Sequence, residues 1–267
     1  MDDLKSTQEL RASVATFNQV LFPHPEDGSV MLALERKATV LKDGSVSVES
    51  QPFGGGIRIL NPAPLQKIIG KIQFDSERSK QEQDFRILIP PSKWELIKEY
   101  SLHHLELDDE DDIELESGPD RELTEEFMET INVKLHAGQY KVQPMGFVIE
   151  NSPVQSKNDY ARGRLTVHLY RIFKVEITDP TLCRIMFGIG QLYSDQDLAE
   201  LALQDSEHGG PGRANTILTL PLSTVRDAYL ALPPAERYKK IVIENHELDE
   251  SVLAILEGID VPQYQRV

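Results

Sequence analysis

The segment 164-RLTVHLYRIFKVEI-177 constrains the fold most: apolar and polar residues alternate over a stretch long enough to run through the centre of a sheet. A second alternating stretch, 140-YKVQPMGFVIE-150, supplies a neighbour. The pair 30-VMLALERKATVL-41 and 46-VSVES-50 predicts a hairpin turning at Asp43-Gly44. Half-buried strands need helices to cover them. Helical spacing is found in 7-TQELRASVATFNQVLF-22, with Leu10, Val14, Phe17 and Val20/Leu21 apolar and Thr7 as cap, and in 120–135, with Leu123, Phe127 and Ile131 on one face. Further helices are expected at 194–204, capped by Ser194, after Pro221 in 216–232, and at 247–258. Helices and strands mix without strict alternation, so the expected class is α+β, an α/β/α sandwich on a mixed sheet.

Between Asn61 and Asp120 the pattern is broken by Pro62, Pro64, Pro90 and Pro91. Within it, a polar charged stretch, the short strand 85-FRILI-89 and a helix from near Ser92 could form a subdomain of their own. With 267 residues and 40% hydrophobic content, the chain suits one large domain or two small ones. The lone cysteine, Cys183, excludes an internal disulfide or a thiolate zinc cluster and reads as core. A formal charge of −16 opposes binding of long nucleic acid. Neither a signal-peptide pattern nor a membrane-length apolar run is present, which predicts a cytoplasmic protein.

In 121-RELTEEFMET-130, helical geometry projects Glu122, Glu125 and Glu126 together within one turn. Such crowding costs about 0.2–0.5 kcal/mol per exposed pair, which a wet, ion-paired helix tolerates and a hard divalent cation would relieve. Helix chemistry leaves both alternatives open.

Arg121-Glu122-Leu123-Thr124-Glu125-Glu126 resembles the R-E-hydrophobic-x-E-E core of the Nudix box, the metal-binding signature of the Nudix hydrolases. The run 52-PFGGGIRI-59 resembles the glycine-rich turn that opens that box, and "VMLALER" resembles the family's early strand ending in arginine. The strand 164–177 and the strand-to-helix unit 217–232 resemble later elements of the family. The resemblance implies a Nudix-like sandwich that hydrolyses a nucleoside diphosphate linked to another moiety, using Mg²⁺ or Mn²⁺. It assigns Glu122, Glu125 and Glu126 as metal ligands, Arg121, Glu125 and Glu126 as catalytic residues, and Gly54, Gly55 and Gly56 as the ligand-binding turn. It leaves the general base open between Glu125 or Glu126 on the helix itself and Glu150, Glu176 or Glu207 elsewhere.

The chain also departs from the family. Residues 57–120 separate the glycine turn from the helix, which against the family's pattern implies a single Nudix-like domain 1–267 with an insertion at 61–118; Ile113 stands where a glutamate is expected, so that Glu114 or Glu116 could substitute only by a register shift. Met128 stands where glycine is usual. These departures keep a second function open, a catalytically weak or inactive Nudix-fold protein that binds a nucleotide or a protein partner. The expected partner is a nucleoside diphosphate derivative, without long nucleic acid or membrane, and a homodimer is left open.

Outside the box, 205-DSEHGGPGRAN-215 could be a second phosphate contact through Gly209, Gly210, Gly212, His208 and Arg213, or a surface loop. Arg162 and Arg164 suit a strand-edge salt bridge as well as a ligand contact. The charged stretch 75–86 is either a solvated ion-pair face or a cap that lends Arg78 or Arg86 to the cleft. His103 and His104 are adjacent rather than i, i+4, a poor spacing for a metal.

Overall fold

The computed structural model describes residues 9–106, 113–116, 118–155 and 163–267. Thr7, the acidic run 108–112 and Arg162 lie outside these. The chain is α+β, with helices packed on a large mixed sheet.

The first strand, β1 (Leu10–Pro23), occupies the segment for which the spacing predicts a helix. One edge runs parallel to the long strand 165–177 from Arg11 to Leu21. The other edge meets three partners in turn: the inserted segment at Leu10–Ser13, the glycine turn at Ala15–Asn18 and the hairpin strand at Val20–Pro23. With both faces and both edges covered, even Ser13, Thr16, Asn18 and Gln19 are buried. The polar residues between Leu10, Val14, Phe17 and Val20 mark no solvent face, so helical spacing there carries no information about exposure.

β2 (Val30–Val40) and β3 (Val46–Gln51) form the expected hairpin. Past Pro52 the chain leaves β2 and joins β1 as β4 (Phe53–Gly56), then pairs briefly as β5 (Arg58–Ile59). The insertion follows: α1 (Pro62–Ile69), capped by Asn61, then β6 (Gln73–Phe74), α2 (Glu77–Glu82), β7 (Arg86–Ile89), α3 (Trp94–Leu105) and β8 (Leu115–Glu116). β8 pairs with β5, Arg58 opposite Glu116 and Ile59 opposite Leu115, so the two ends of the insertion lie side by side. It shares β1 with the main body. β7 extends the sheet, and Ile57, Phe85, Ile87, Trp94 and Ile97 build an apolar core around Leu10, Ala12 and Val14.

α4 (Pro119–Ile131) carries the glutamate motif; it runs through Met128 and ends at Asn132 in a left-handed cap. The predicted strands are β9 (Tyr140–Gln155) and β10 (Leu165–Ile177). Then come α5 (Pro180–Gly190), capped by Asp179, and α6 (Asp195–Glu207), where Ser194 and Asp197 form a capping box. β11 (Arg213–Pro221) turns at Pro221 into α7 (Leu222–Ala231). The helix expected at 247–258 is absent. β12 (Ile241–Ile243) and β13 (His246–Leu248) form a small hairpin, followed by a 3₁₀ turn at Glu250–Ile255 and β14 (Tyr264–Arg266). Val252 to Leu256 are buried one after another, and a run buried all round does not need an amphipathic helix.

Alternate residues of the central strands face opposite layers. Val20, Phe22, Ala33 and Ile217 lie under α4 and α5 with Leu123, Phe127 and Met186. Leu21, Leu32, Leu34 and Leu218 lie under α7 and the 3₁₀ turn with Val225, Tyr229 and Leu253. At ~25 cal/mol per Å² of apolar surface, each such buried side chain contributes about 1.5–3 kcal/mol to holding the layers together. Cys183 is buried in the α5 core, as expected. Among the described residues no helix is long and apolar enough to cross a membrane.

Candidate functional site

The α4 face of the sheet carries two apolar cores, one around the insertion and one under α4 and α5. Several polar side chains share that face with them. Leu123 and Phe127 anchor α4, and the Phe127 ring lies 5.0 Å from that of Phe53 in β4. This contact fixes the height of the helix over the glycine turn.

At that turn each glycine meets a different neighbour. Gly54 has φ +143, a conformation L side chains rarely adopt, and a Cβ there would lie 2.0 Å from the Thr16 carbonyl oxygen. A Cβ on Gly55 would lie 2.3 Å from a Glu122 carboxylate oxygen, and one on Gly56 3.0 Å from the Asp84 carboxyl carbon. The Gly54 backbone N–H donates to the Glu126 carboxylate, joining positions 72 residues apart. The glycine turn and the glutamate helix are therefore in contact despite the insertion between them.

Glu122 and Glu126 face this turn. Burial pushes the Glu122 carboxyl above the usual glutamate range; Arg121 opposes the shift, while Glu125 and Asp84 add to it. Glu126 keeps limited contact with solvent, yet its carboxyl lies deep in the molecule. Burial, then the charge of Glu35, pushes it well above the usual range, against weaker help from Lys37 and the Gly54 N–H. Glu125 is set apart, with its side chain 55% exposed and its carboxylate 3.1 Å from Arg121. Arg121 also meets Glu122 at 2.5 Å and Glu116 at 3.0 Å, so it orients carboxylates from α4 and from the end of the insertion. Ile113 is largely exposed, and Glu116 is the insertion-end carboxylate that reaches Arg121.

Three further residues of this face lie outside the glutamate helix and the glycine turn. Glu35 in β2, only 1% exposed as a side chain, is held 2.5 Å from the Lys37 amine and accepts a 3.1 Å hydrogen bond from the Gln51 amide. Asp84, just before β7, is raised by burial and offset by Arg86, 3.0 Å away; it brings a carboxylate of the insertion to Gly56. Asn18 in β1 is fully buried, and neither its amide oxygen nor its nitrogen has a hydrogen-bond partner. As the side chains stand, no three carboxylate, imidazole or thiolate groups among the described residues form a ready ligand set for a metal ion. The donors nevertheless suit a hard cation chemically: carboxylate oxygens crowd together, an amide is unpaired, and Gly55 makes room for Glu122.

The candidate general bases outside α4 lie elsewhere. Glu150 is on the Val148 side of β9, across the sheet from α4, and meets the His168 Nδ1 at 2.5 Å. Glu176 is in register with Leu21, hence also on the far face; it pairs with Lys174 and lines a separate cavity of about 490 Å³. Glu207 is exposed in the last turn of α6. Arg36 is committed to Asp195 and the Tyr193 carbonyl. The 205–215 loop is not an anion nest, because the Asp205 carboxylate already accepts from the Gly212 and Arg213 backbone N–H groups. Of the insertion arginines, Arg78 pairs with Glu82 and Arg86 with Asp84. His104 pairs with Glu114. Asp84 and Asn18 escape a reading of the sequence, since no local pattern marks them; Glu35 stands in the VMLALER strand, whose resemblance points to its arginine and not to Glu35.

No protein-family model, curated protein or solved structure matches the chain. The side chains themselves therefore carry the functional reading.

Proposed function

We propose that the protein is a Mg²⁺-dependent pyrophosphohydrolase of the Nudix type, acting on a nucleoside diphosphate linked to another moiety. The observation that carries the proposal is the junction of Gly54 with Glu126, and of Gly55 with Glu122. The two halves of the resemblance, separated in sequence, meet through backbone contacts that side chains on those glycines would prevent. The paired ends of the insertion explain how such a long segment leaves that junction intact.

Glu122 and Glu126 would hold the cation, with Glu125 reaching it by turning away from Arg121. The cation, when bound, supplies charge neutralisation of the diphosphate and a more acidic water. Arg121 holds the Glu122 carboxylate in place. As a cation ligand Glu126 would have to be ionised, so the cation would offset the burial that raises its carboxyl in the metal-free chain. Asp84 lies against Gly56, and the Lys37 amine opposes the rise of Glu126, so both set the charge around the turn.

A second reading, a Nudix-fold binding protein with little or no turnover, is favoured by one observation: Glu125 is exposed and engaged by Arg121. One experiment separates the two. The protein is incubated with Mg²⁺ or Mn²⁺ and a panel of nucleoside diphosphate derivatives, alongside Glu125→Gln and Glu126→Gln. Turnover abolished by Glu126→Gln supports the hydrolase, and ligand binding without turnover supports the second reading.

A further inference from the structure

We infer that Asn18 and Glu35 join Glu126 as oxygen ligands of a single divalent cation of the Mg²⁺ class, seated between the sheet and α4 beneath the glycine turn. The choice of cation rests on the function proposed above; the ligands rest on geometry.

Asn18 is the independent pointer. It is 0% exposed, and both polar atoms of its amide lack a partner. Its register partner in β4 is Phe53, whose ring meets Phe127 of α4, and cross-strand partners share a face, so Asn18 points toward α4. Buried amides are rarely left unpaired, because each unmade hydrogen bond costs about 1–3 kcal/mol. One residue further on, Gln19 shows the ordinary solution: its amide donates to the Ile255 carbonyl at 2.6 Å.

Glu35 lies on the same face as Asn18. Ala33, two residues before it, and its β11 register partner Ile217 both lie in the core under α4. Among charged groups Glu35 acts most strongly on Glu126. Its partner Lys37 is about one-third exposed, so the amine can turn to water when a stronger cation arrives. Two carboxylates and one amide carbonyl, fixed by β1, β2 and α4, form a hard-oxygen set; Mg²⁺ commonly takes one or two carboxylates and keeps several waters. A trapped water would satisfy Asn18 but would leave the two carboxylates facing each other. Whereas the motif places every ligand on α4, this seat is spread over three elements.

The test is a Mn²⁺ titration of the metal-free full chain, with unbound Mn²⁺ read by electron paramagnetic resonance, which counts bound ions without any turnover. Wild type, Glu35→Gln, Asn18→Leu and the far-face control Glu176→Gln are compared. Affinity should fall about 10–100-fold in the first two variants, the scale for losing a supporting ligand. It should be unchanged in Glu176→Gln, and Mg²⁺ should compete in wild type. Asn18→Leu should also raise the urea midpoint of the metal-free protein while losing the rise that Mn²⁺ gives wild type, opposite signs that a purely structural asparagine would not produce. Absent Mn²⁺ binding, or equal affinity in wild type and Asn18→Leu, overturns the seat. Turnover with unchanged variant affinities would sink the seat and leave the hydrolase. Binding that depends on both residues without turnover would do the reverse.

Discussion

Asn18 and Gln19 are neighbours on one strand, both buried amides, and they face opposite sides of the same sheet. Gln19 is tied to the Ile255 carbonyl, and on its side the buried Glu150 is likewise met by His168. Asn18 has no partner, and on its side Glu126 faces a like charge from Glu35. On the Gln19 face the buried amide is spent on holding the C-terminal segment at Ile255, although the Tyr229 hydroxyl there also lacks a partner. The α4 face keeps polar groups in reserve, at a cost in stability that a purely structural face would have removed.

The most severe way to break this contrast is Glu126→Gln. Turnover of any accepted substrate should fall about 10³-fold, roughly 4 kcal/mol of transition-state stabilisation. Stability should move the other way. Because the folded-state pKa of Glu126 is raised, the fold loses stability as pH climbs from the ordinary glutamate range through that raised value. The glutamine variant escapes this loss and should have the higher melting temperature at neutral pH, the gap closing below about pH 4. A variant less stable at both pH values would show that the Glu126 carboxylate is structural.

Asp75, a satisfied group, gives the opposite pH sign. It is bonded to Arg11 at 2.6 Å with both side chains buried, and it also accepts from Ser79. Burial alone would raise its pKa, but the Ser79 and Arg11 hydrogen bonds outweigh burial and leave it lowered. Its contribution is complete above the unfolded value near pH 3.9 and fades as pH falls through the depressed folded value. Asp75→Ala should cost about 3–5 kcal/mol at pH 7, because it strands the buried Arg11; denaturation at pH 7 and pH 3 should show the penalty shrinking in acid.

The amide pair itself offers the sharpest comparison. Gln19→Leu leaves the Ile255 carbonyl unpaired and should cost about 1–3 kcal/mol, whereas Asn18→Leu should be neutral or stabilising in metal-free protein. Equal losses in urea denaturation would mean the two faces do not differ. The smallest effect belongs to Glu125→Gln, which removes an exposed i, i+4 pair with Arg121 and should change stability by about 0.3–0.5 kcal/mol.

The elements legible from sequence were the β2–β3 hairpin, α4, β9, β10 and the β11-to-α7 turn. α4 and β9 keep an exposed side that enforces their period, whereas β2 and β10 are buried along most of their length and show as strands through their apolar runs and, for the hairpin, the Asp43-Gly44 turn. β1 and the segment 250–256 have no wet face, so spacing misled there. Of the candidate site, Arg121, Glu122, Glu125, Glu126 and the three glycines carried a recognisable pattern. Asp84 and Asn18 did not, and Glu35 stood in a recognised strand without being singled out, because a single polar residue in a strand looks the same whether it is paired, solvated or waiting for a ligand.

By itself the sequence determined the class of fold, the apolar stripe that lays α4 on the sheet, and the carboxylates that the helix brings onto one turn, since each follows from local periodicity. Tertiary structure alone decided that Gly54 would meet Glu126 across the insertion, that Glu125 would be left outside, and that Glu35 and Asn18 would share the α4 face of the sheet. Those relations depend on register between strands far apart in the chain, and local propensity carries no information about register.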